Sequence, residues 1–283
     1  MLYLLVKGVN GFGNMMSALS YAFELQQKSG RTLVIDWSNP EWRLGFDKYF
    51  SFKDGIKYES YPIFLEKIKG KKLKVYPAQF EGNLDKTLID IFPKIDSEAN
   101  AYLRLFGEVE QKIKMKKLDI VVFSYNYCGY DRLERLFENL IIKDELNEKI
   151  KNRILFLNKY KAIHVRHTDI KNISLDWVNK FIEDNPNQNI YLATDNEILL
   201  DSYKKLYPKI FSFTQFYLSE KPLHTQDTSD DDKNQINEDT ISDLIILANS
   251  SELKITPQKT IPWMSTYSLL AILLHHIIKN KQK

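Results

Sequence analysis

The sequence predicts an α/β protein of two domains, and three observations carry that expectation. An apolar run at residues 2–6 ends in the glycine-rich turn Gly8-Val9-Asn10-Gly11-Phe12-Gly13, which opens a helix. A second strand-like run at residues 160–165 leads into His164-Val165-Arg166-His167-Thr168-Asp169. After each run, extended and helical patterns alternate, as they do where parallel strands are joined by crossover helices. Open sheets of this kind bind ligands at the carboxyl ends of their strands.

The chain has 283 residues, 43% hydrophobic and 13% aromatic, enough apolar surface for two modest cores. Its 40 basic and 37 acidic residues nearly balance, giving a formal net charge of +3, so no nucleic-acid partner is implied. The single cysteine, Cys128, excludes an internal disulfide framework and fits a reducing compartment, as a buried inert thiol or a reactive one. The opening run reaches Lys7-Gly8 too soon for a signal peptide, and no later run supplies the ~18 apolar residues of a membrane span. A soluble, cytoplasmic protein is expected. The basic tail Lys279-Asn280-Lys281-Gln282-Lys283 is either a solvated helix end or a peripheral contact with an anionic membrane.

The first half reads as strand, turn, helix, strand. Met15, Ala18, Leu19, Ala22 and Phe23 recur at helical spacing, Ser29-Gly30 is a helix stop, and residues 32–36 form the next strand. The turn between strand and helix either frees backbone N–H groups for an anion or is simply a tight turn. Residues 73–76 and 119–124 are further strands, with a helix near 99–106 and a lysine-rich turn at 112–117. Trp37, Trp42, Tyr125, Tyr127 and Tyr130 are candidates for a sugar platform, because aromatic faces stack on pyranose rings, or else for core packing.

The second half begins with a helix over residues 144–157, with Leu146, Ile150, Ile154 and Leu157 on one stripe and Asp144 as its N-cap. Residues 160–165 are a strand, 174–184 a helix, 189–195 a strand with its exit loop, 197–207 a helix and 210–213 a strand. Residues 219–240, centred on Thr225-Gln226-Asp227-Thr228-Ser229-Asp230-Asp231-Asp232, have almost no apolar residues and are expected to form a mobile loop. Their aspartates lack the glycine and spacing of a calcium loop. A helix at 241–249 carries Asp243, residues 253–256 are a strand, and a helix over 263–279 ends the fold.

Arg166 and His164 are two residues apart and so share one face of an extended chain. There the guanidinium presents a fixed fork of N–H donors suited to a phosphate.

Several blocks together resemble a known group of enzymes. Gly11-Phe12-Gly13-Asn14, Arg31-Thr32-Leu33-Val34-Ile35-Asp36-Trp37, the stretch 140–154, His164-Val165-Arg166-His167-Thr168-Asp169, Ala193-Thr194-Asp195 and Ser265-Thr266-Tyr267-Ser268 occur in this order. They are similar to the GDP-fucose-dependent fucosyltransferase superfamily, which spans the α1,6-transferases of the nodulation and core-fucosylation type and the bacterial α1,2-transferases. The first blocks and the HxRxTD motif lean to the α1,6 type, the Ser-Thr-Tyr-Ser block to the α1,2 type.

The resemblance implies a GT-B-type glycosyltransferase, with two Rossmann-like domains facing a cleft. Residues 1–157 would form the N-terminal, acceptor-side domain and residues 158–283 the C-terminal, GDP-sugar-binding domain. It implies an inverting transfer of fucose from GDP-fucose to a glycan or lipid-linked oligosaccharide hydroxyl, in surface polysaccharide or oligosaccharide synthesis at the inner face of the membrane. No metal and no cofactor are expected; the donor is the substrate. In place of a divalent ion, fixed cationic and N–H donors would neutralise the departing diphosphate. By this resemblance Arg166 binds the pyrophosphate, aided by Gly11, Gly13 and Asn14 and by Ser265 and Thr266. Asp243 accepts from the guanine N1–H and N2–H₂ groups, His164 donates to its O6 or N7, and Asp169 orients Arg166 or serves as a base.

The chain also departs from the pattern. Many relatives carry a second arginine at the position of His167, and the α1,6 enzymes carry a lysine and a glutamate at the positions of Ile170 and Ser174. The proton acceptor is thus left open, with Asp176 or an N-terminal carboxylate available for late proton removal. Other GDP-sugars, such as a mannose or heptose derivative, fit the same nucleotide contacts. Two other readings exist. Gly8, Gly11 and Gly13 followed by Asp36 match a dinucleotide-binding fingerprint of an oxidoreductase, and the missing lysine and glutamate fit an inactive GDP-sugar or glycan-binding module.

Overall fold

The computed structural model describes residues 2–8, 11–38, 42–86, 88–91, 118–123, 130–167, 174–217, 228–256 and 265–281. The chain divides into two compact units, Met1–Ile142 and Lys143–Lys283.

The first unit runs β1 (Tyr3–Lys7), α1 (Phe12–Ser29), β2 (Thr32–Asp36), β3 (Phe50–Phe52), β4 (Tyr58–Ser60), α2 (Tyr61–Ile68), β5 (Val75–Tyr76), α3 (Leu88–Ile91), β6 (Ile120–Phe123), α4 (Tyr130–Asn139) and β7 (Leu140–Ile142). Five strands form a sheet in the order β4-β2-β1-β6-β5, and β3 pairs with β7 in a separate ribbon. Every pairing in the larger sheet is parallel. That explains the unbroken apolar character of β1, which is buried along its whole length between two neighbours. Helix α1 ends where expected, because Gly30 takes φ 66° and its N–H caps the Gln26 carbonyl. Under one face of the sheet, Tyr3, Leu5, Val34, Phe64, Phe80 and Val122 form a core. The short elements β3, β4 and β7 carry no clear period in the sequence; β4 is the half-buried triplet Tyr58-Glu59-Ser60.

The second unit runs α5 (Asp144–Leu157), β8 (Tyr160–Val165), α6 (Asp176–Glu183), β9 (Asn189–Thr194), α7 (Glu197–Leu206), β10 (Ile210–Phe211), α8 (Asp230–Asn249), β11 (Leu253–Ile255) and α9 (Thr266–Lys281). Its sheet has the order β10-β9-β8-β11 and is parallel throughout. The chain steps outward from β8 to β10 and then returns to the opposite side of β8 with β11. The direction of winding therefore reverses between β8 and β11, which creates the crevice where such sheets hold ligands. Ile163, Val165 and Leu192 pack on Val178, Phe181, Leu199 and Leu200 from α6 and α7.

Helix α5 is tied to α8 by Arg153–Asp239 at 2.8 Å and Lys149–Glu238 at 2.7 Å. Two local expectations change. Lys143 is the N-cap of α5, and Asp144 is instead its first helical residue, where its negative charge complements the positive end of the helix dipole. Residues 230–240 are helix rather than loop. Ser229 accepts from the Asp232 N–H at 3.2 Å and donates to its carboxylate at 2.8 Å, and three aspartates in the first turn complement the dipole. Downstream, Lys233, Ile236, Asn237 and Asp239 are buried, so polar residues fill inward positions that a hydrophobic pattern does not reveal. The helix expected near 99–106, the turn at 112–117, and Tyr125, Tyr127 and Cys128 lie outside the described residues.

Candidate functional site

Strand β8 delivers His164 and Arg166 to the winding reversal of the second unit. In the sheet register His164 lies beside Ile255 of β11, so the end of β11 sits at the same level. Thr256, one residue further, ties the two strand ends together. Its N–H donates to the His164 carbonyl at 3.1 Å, and its hydroxyl accepts from the Arg166 N–H at 3.2 Å.

Helix α9 starts over the same strand ends. The Ser265 carbonyl accepts the Leu269 N–H at 2.9 Å, the first bond of the helix, so Ser265 occupies the cap position. Its hydroxyl accepts from Arg166 Nη1 at 2.9 Å. Partly buried Arg166 is thus held beside a helix N-terminus, where unsatisfied N–H groups and the positive end of the dipole favour an anion. Thr266, the first residue of α9, is half-buried at the same end.

His164 is buried, and its Nδ1 lies 2.9 Å from Ser268 Oγ. Burial first and the Arg166 charge second lower its pKa to about 4, so the imidazole is neutral near neutrality. The Tyr267 ring tilts against it with centroids 5.1 Å apart, and the Tyr267 hydroxyl donates to the Thr240 carbonyl at 2.8 Å.

Asp243 is buried on α8, with one carboxylate oxygen accepting from the Tyr191 hydroxyl and the other from the Thr214 hydroxyl at 2.7 Å. Each oxygen keeps a second lone pair. Burial first and the negative charge of Asp239 second push its pKa up to about 7, against the pull of Tyr191, Thr214 and Arg153. The carboxylate therefore gains from any further N–H donor that reaches it.

On the other side of β8, the His167 N–H donates to Asp195 Oδ1 at 2.8 Å, and its ring meets Asn196, the N-cap of α7. Asp176 is exposed at the start of α6 and accepts from the Ser174 hydroxyl at 2.7 Å. Asp169 and Thr168 lie outside the described residues.

The first unit has its own strand-to-helix turn. Gly11 precedes α1 in an extended conformation, Gly13 is buried within the first turn, and Asn14 Oδ1 is buried without a hydrogen-bond partner among the described residues. Asp36, the fingerprint acid of the dinucleotide reading, is already committed. Buried Lys7 binds it at 2.6 Å, and the Ser38 hydroxyl and N–H take its other oxygen. A ribose would have to displace a buried ion pair, so that reading loses its main ligand. Trp37 and Trp42 are buried among Phe12, Phe46, Phe50 and Tyr49, and thus form core rather than a sugar platform. Tyr130 begins α4, half-buried.

The structure thus brings together His164, Arg166, Ser265 and Thr266, and the sequence reading missed the residues that fasten them. Thr256 and Thr214 are single threonines without a motif, and Tyr191 looks like an ordinary strand aromatic. Only the position of Thr256 at a strand's carboxyl end offered a signal. Among the described residues no three His, Cys, Asp or Glu side chains converge as a metal site, and no helix is long and apolar enough to cross a membrane.

No family model and no curated protein sequence matches the chain. Solved structures do. The NodZ α-1,6-fucosyltransferase soaked with GDP-fucose aligns over 97% of this chain and 93% of its own, with 18% identity and a TM-score of 0.71. The NodZ fucosyltransferase from Bradyrhizobium, as its selenomethionine form, aligns over 97% and 92% with 18% identity and a TM-score of 0.70. POFUT1 in complex with GDP covers 97% of this chain and 95% of its own at 13% identity and a TM-score of 0.55. A single-residue mutant of FUT1 of Arabidopsis thaliana in complex with GDP covers 97% of this chain and 69% of its own at 12% identity and a TM-score of 0.56. At these identities the likeness is one of fold, and the fold is that of known fucosyltransferases.

Proposed function

We propose that the protein is an inverting, metal-independent glycosyltransferase that moves fucose from GDP-fucose to a glycan hydroxyl. The observation that carries this is the seating of Arg166 against the N-terminus of α9 through Ser265, at the winding reversal of a parallel sheet. Cleaving a sugar–phosphate bond leaves negative charge on the diphosphate, and a preorganised guanidinium beside free helix N–H groups stabilises that charge as it develops. In this reading Thr266 adds its backbone N–H, while the guanine base lies between His164 and Asp243.

Gly11, Gly13 and Asn14 are the donor-binding candidates of the first unit. The unpartnered Asn14 Oδ1 supports that placement, since it offers an acceptor to a ligand hydroxyl. An acceptor hydroxyl attacks the anomeric carbon in one displacement. With the leaving group well stabilised, that hydroxyl needs only late proton removal by Asp169, Asp176 or a carboxylate of the first unit. The acceptor is a glycan or lipid-linked oligosaccharide of surface polysaccharide synthesis, handled at the inner face of the membrane. The resemblance in sequence blocks and the shared fold support this reading.

The test is slow donor hydrolysis. Wild-type protein, given GDP-fucose, GDP-mannose and a GDP-heptose without acceptor, is expected to hydrolyse GDP-fucose fastest, and Arg166→Ala to abolish it with an unchanged circular dichroism spectrum. Near-normal turnover by the folded variant overturns the assignment.

A further inference from the structure

We infer that His167 is a neutral Nε2–H donor to the diphosphate of the bound nucleotide, held in that tautomer by Asn196. The inference rests on the nucleotide site proposed above and adds a residue to it.

Asn196 Oδ1 accepts the Leu199 N–H at 2.8 Å, as an N-cap side chain does, and the Asn196 carbonyl accepts the Leu200 N–H at 3.1 Å. The cap decides which end of the amide is oxygen, because only oxygen can accept that N–H. The Nδ2 group is therefore the one that faces His167, 3.2 Å from its Nδ1. An amide NH₂ can only donate, so Nδ1 must present its lone pair. The imidazole proton consequently sits on Nε2.

Position supplies the rest. The His167 N–H is pinned to Asp195 at 2.8 Å, which fixes the backbone beside Arg166 at the carboxyl end of β8. Among the described residues Nε2 has no hydrogen-bond partner. Val165, two residues earlier, packs on α6 and α7. His167 continues that side of the strand, whereas His164 and Arg166 belong to the side of α9. A diphosphate lying across the strand end would then meet Arg166 from one flank and His167, above the N-terminus of α7, from the other. A base is excluded in this arrangement, since the one lone pair of the ring is already taken by Asn196.

Two measurements on the full chain test this. The first is a long-range proton–nitrogen correlation spectrum of ¹⁵N-labelled protein at neutral pH, with and without GDP. The expected result is an Nε2–H tautomer for His167 whose Nε2 resonance shifts as GDP binds. An Nδ1–H tautomer or an imidazolium in the free protein overturns the inference, as does an Nε2 resonance unmoved by saturating GDP. The second compares variants by GDP affinity. His167→Gln, which places an N–H near the Nε2 position, should bind within a few-fold of wild type, whereas His167→Asn and His167→Ala should lose about tenfold. Equal losses in all three overturn it. Asn196→Asp keeps the helix cap but reverses the hydrogen-bond sense, and should move the ring proton to Nδ1. If the tautomer is as stated but wild type binds no GDP, the nucleotide reading itself has failed, and with it the ligand assigned to His167.

Discussion

Arg166 Nη1 and Ser265 Oγ, 99 positions apart in the chain, lie 2.9 Å from each other. This contact fixes the guanidinium fork at the start of α9, and the first prediction concerns it. Ser265→Ala should leave the charge but free its orientation, lowering the turnover of donor hydrolysis roughly tenfold. Arg166→Lys keeps the charge without the planar fork and should lose about 10²-fold. Steady-state kinetics with GDP-fucose check both; unchanged turnover in Arg166→Lys would show that charge alone suffices.

His164 and Asp243 should produce opposing pH dependences of stability that mask each other. The His164 pKa falls from 6.5 unfolded to about 4 folded, so between these values the unfolded chain binds the extra proton and stability rises with pH. The Asp243 pKa rises from 3.8 to about 7, so the folded chain binds the extra proton and stability falls as pH rises. Wild type should therefore be nearly flat across the shared window. His164→Gln should expose the falling slope and Asp243→Asn the rising one, each on the order of 2–3 kcal/mol across the window. Urea unfolding at several pH values measures this; parallel curves for wild type and both variants contradict it.

The raised pKa of Asp243 has a second consequence if the base is guanine. Two N–H donors from the ring would favour the ionised carboxylate, so binding of GDP below pH about 7 should release a proton and tighten as pH rises towards that value. Calorimetry in buffers of different ionisation enthalpy reads the proton directly. Asp243→Asn should abolish the release and reduce the preference for GDP over ADP; retention of both would remove Asp243 from the base site.

Lys7 and Asp36 form a buried ion pair at 2.6 Å, with Tyr61 and Phe80 beneath the ammonium. Removing one partner strands the other, so Asp36→Ala should cost ~3–5 kcal/mol. The double variant Lys7→Met, Asp36→Leu should recover much of that loss. Thermal and urea unfolding provide the comparison. NADH should give no saturable fluorescence change with wild type.

Local pattern made the alternating elements legible, and with them the strand ends on which His164 and Arg166 stand. Helical spacing ends at Gly30 because glycine tolerates the left-handed conformation found there, and the apolar run Tyr3-Leu4-Leu5-Val6 of β1 reads as a strand buried on both faces. Helix α8 was half hidden because its first turns bury Lys233, Asn237 and Asp239, and the partners of Asp239, Arg153 and the Gln215 N–H, come from outside the helix.

What the sequence by itself determined was the alternation of strand and helix and the type of donor placed at each strand end, since both follow from contacts within a few residues. Tertiary structure alone decided that β11 returns beside β8. That return carries Thr256, Ser265 and Ser268 to residues about ninety or more positions away. The pairing of β1 with β2 likewise commits Asp36 to Lys7, and that of β8 with β9 brings Asn196 to His167. Such pairings depend on strand order and register, which hydrogen bonds between distant segments set, and no local period in the chain records them.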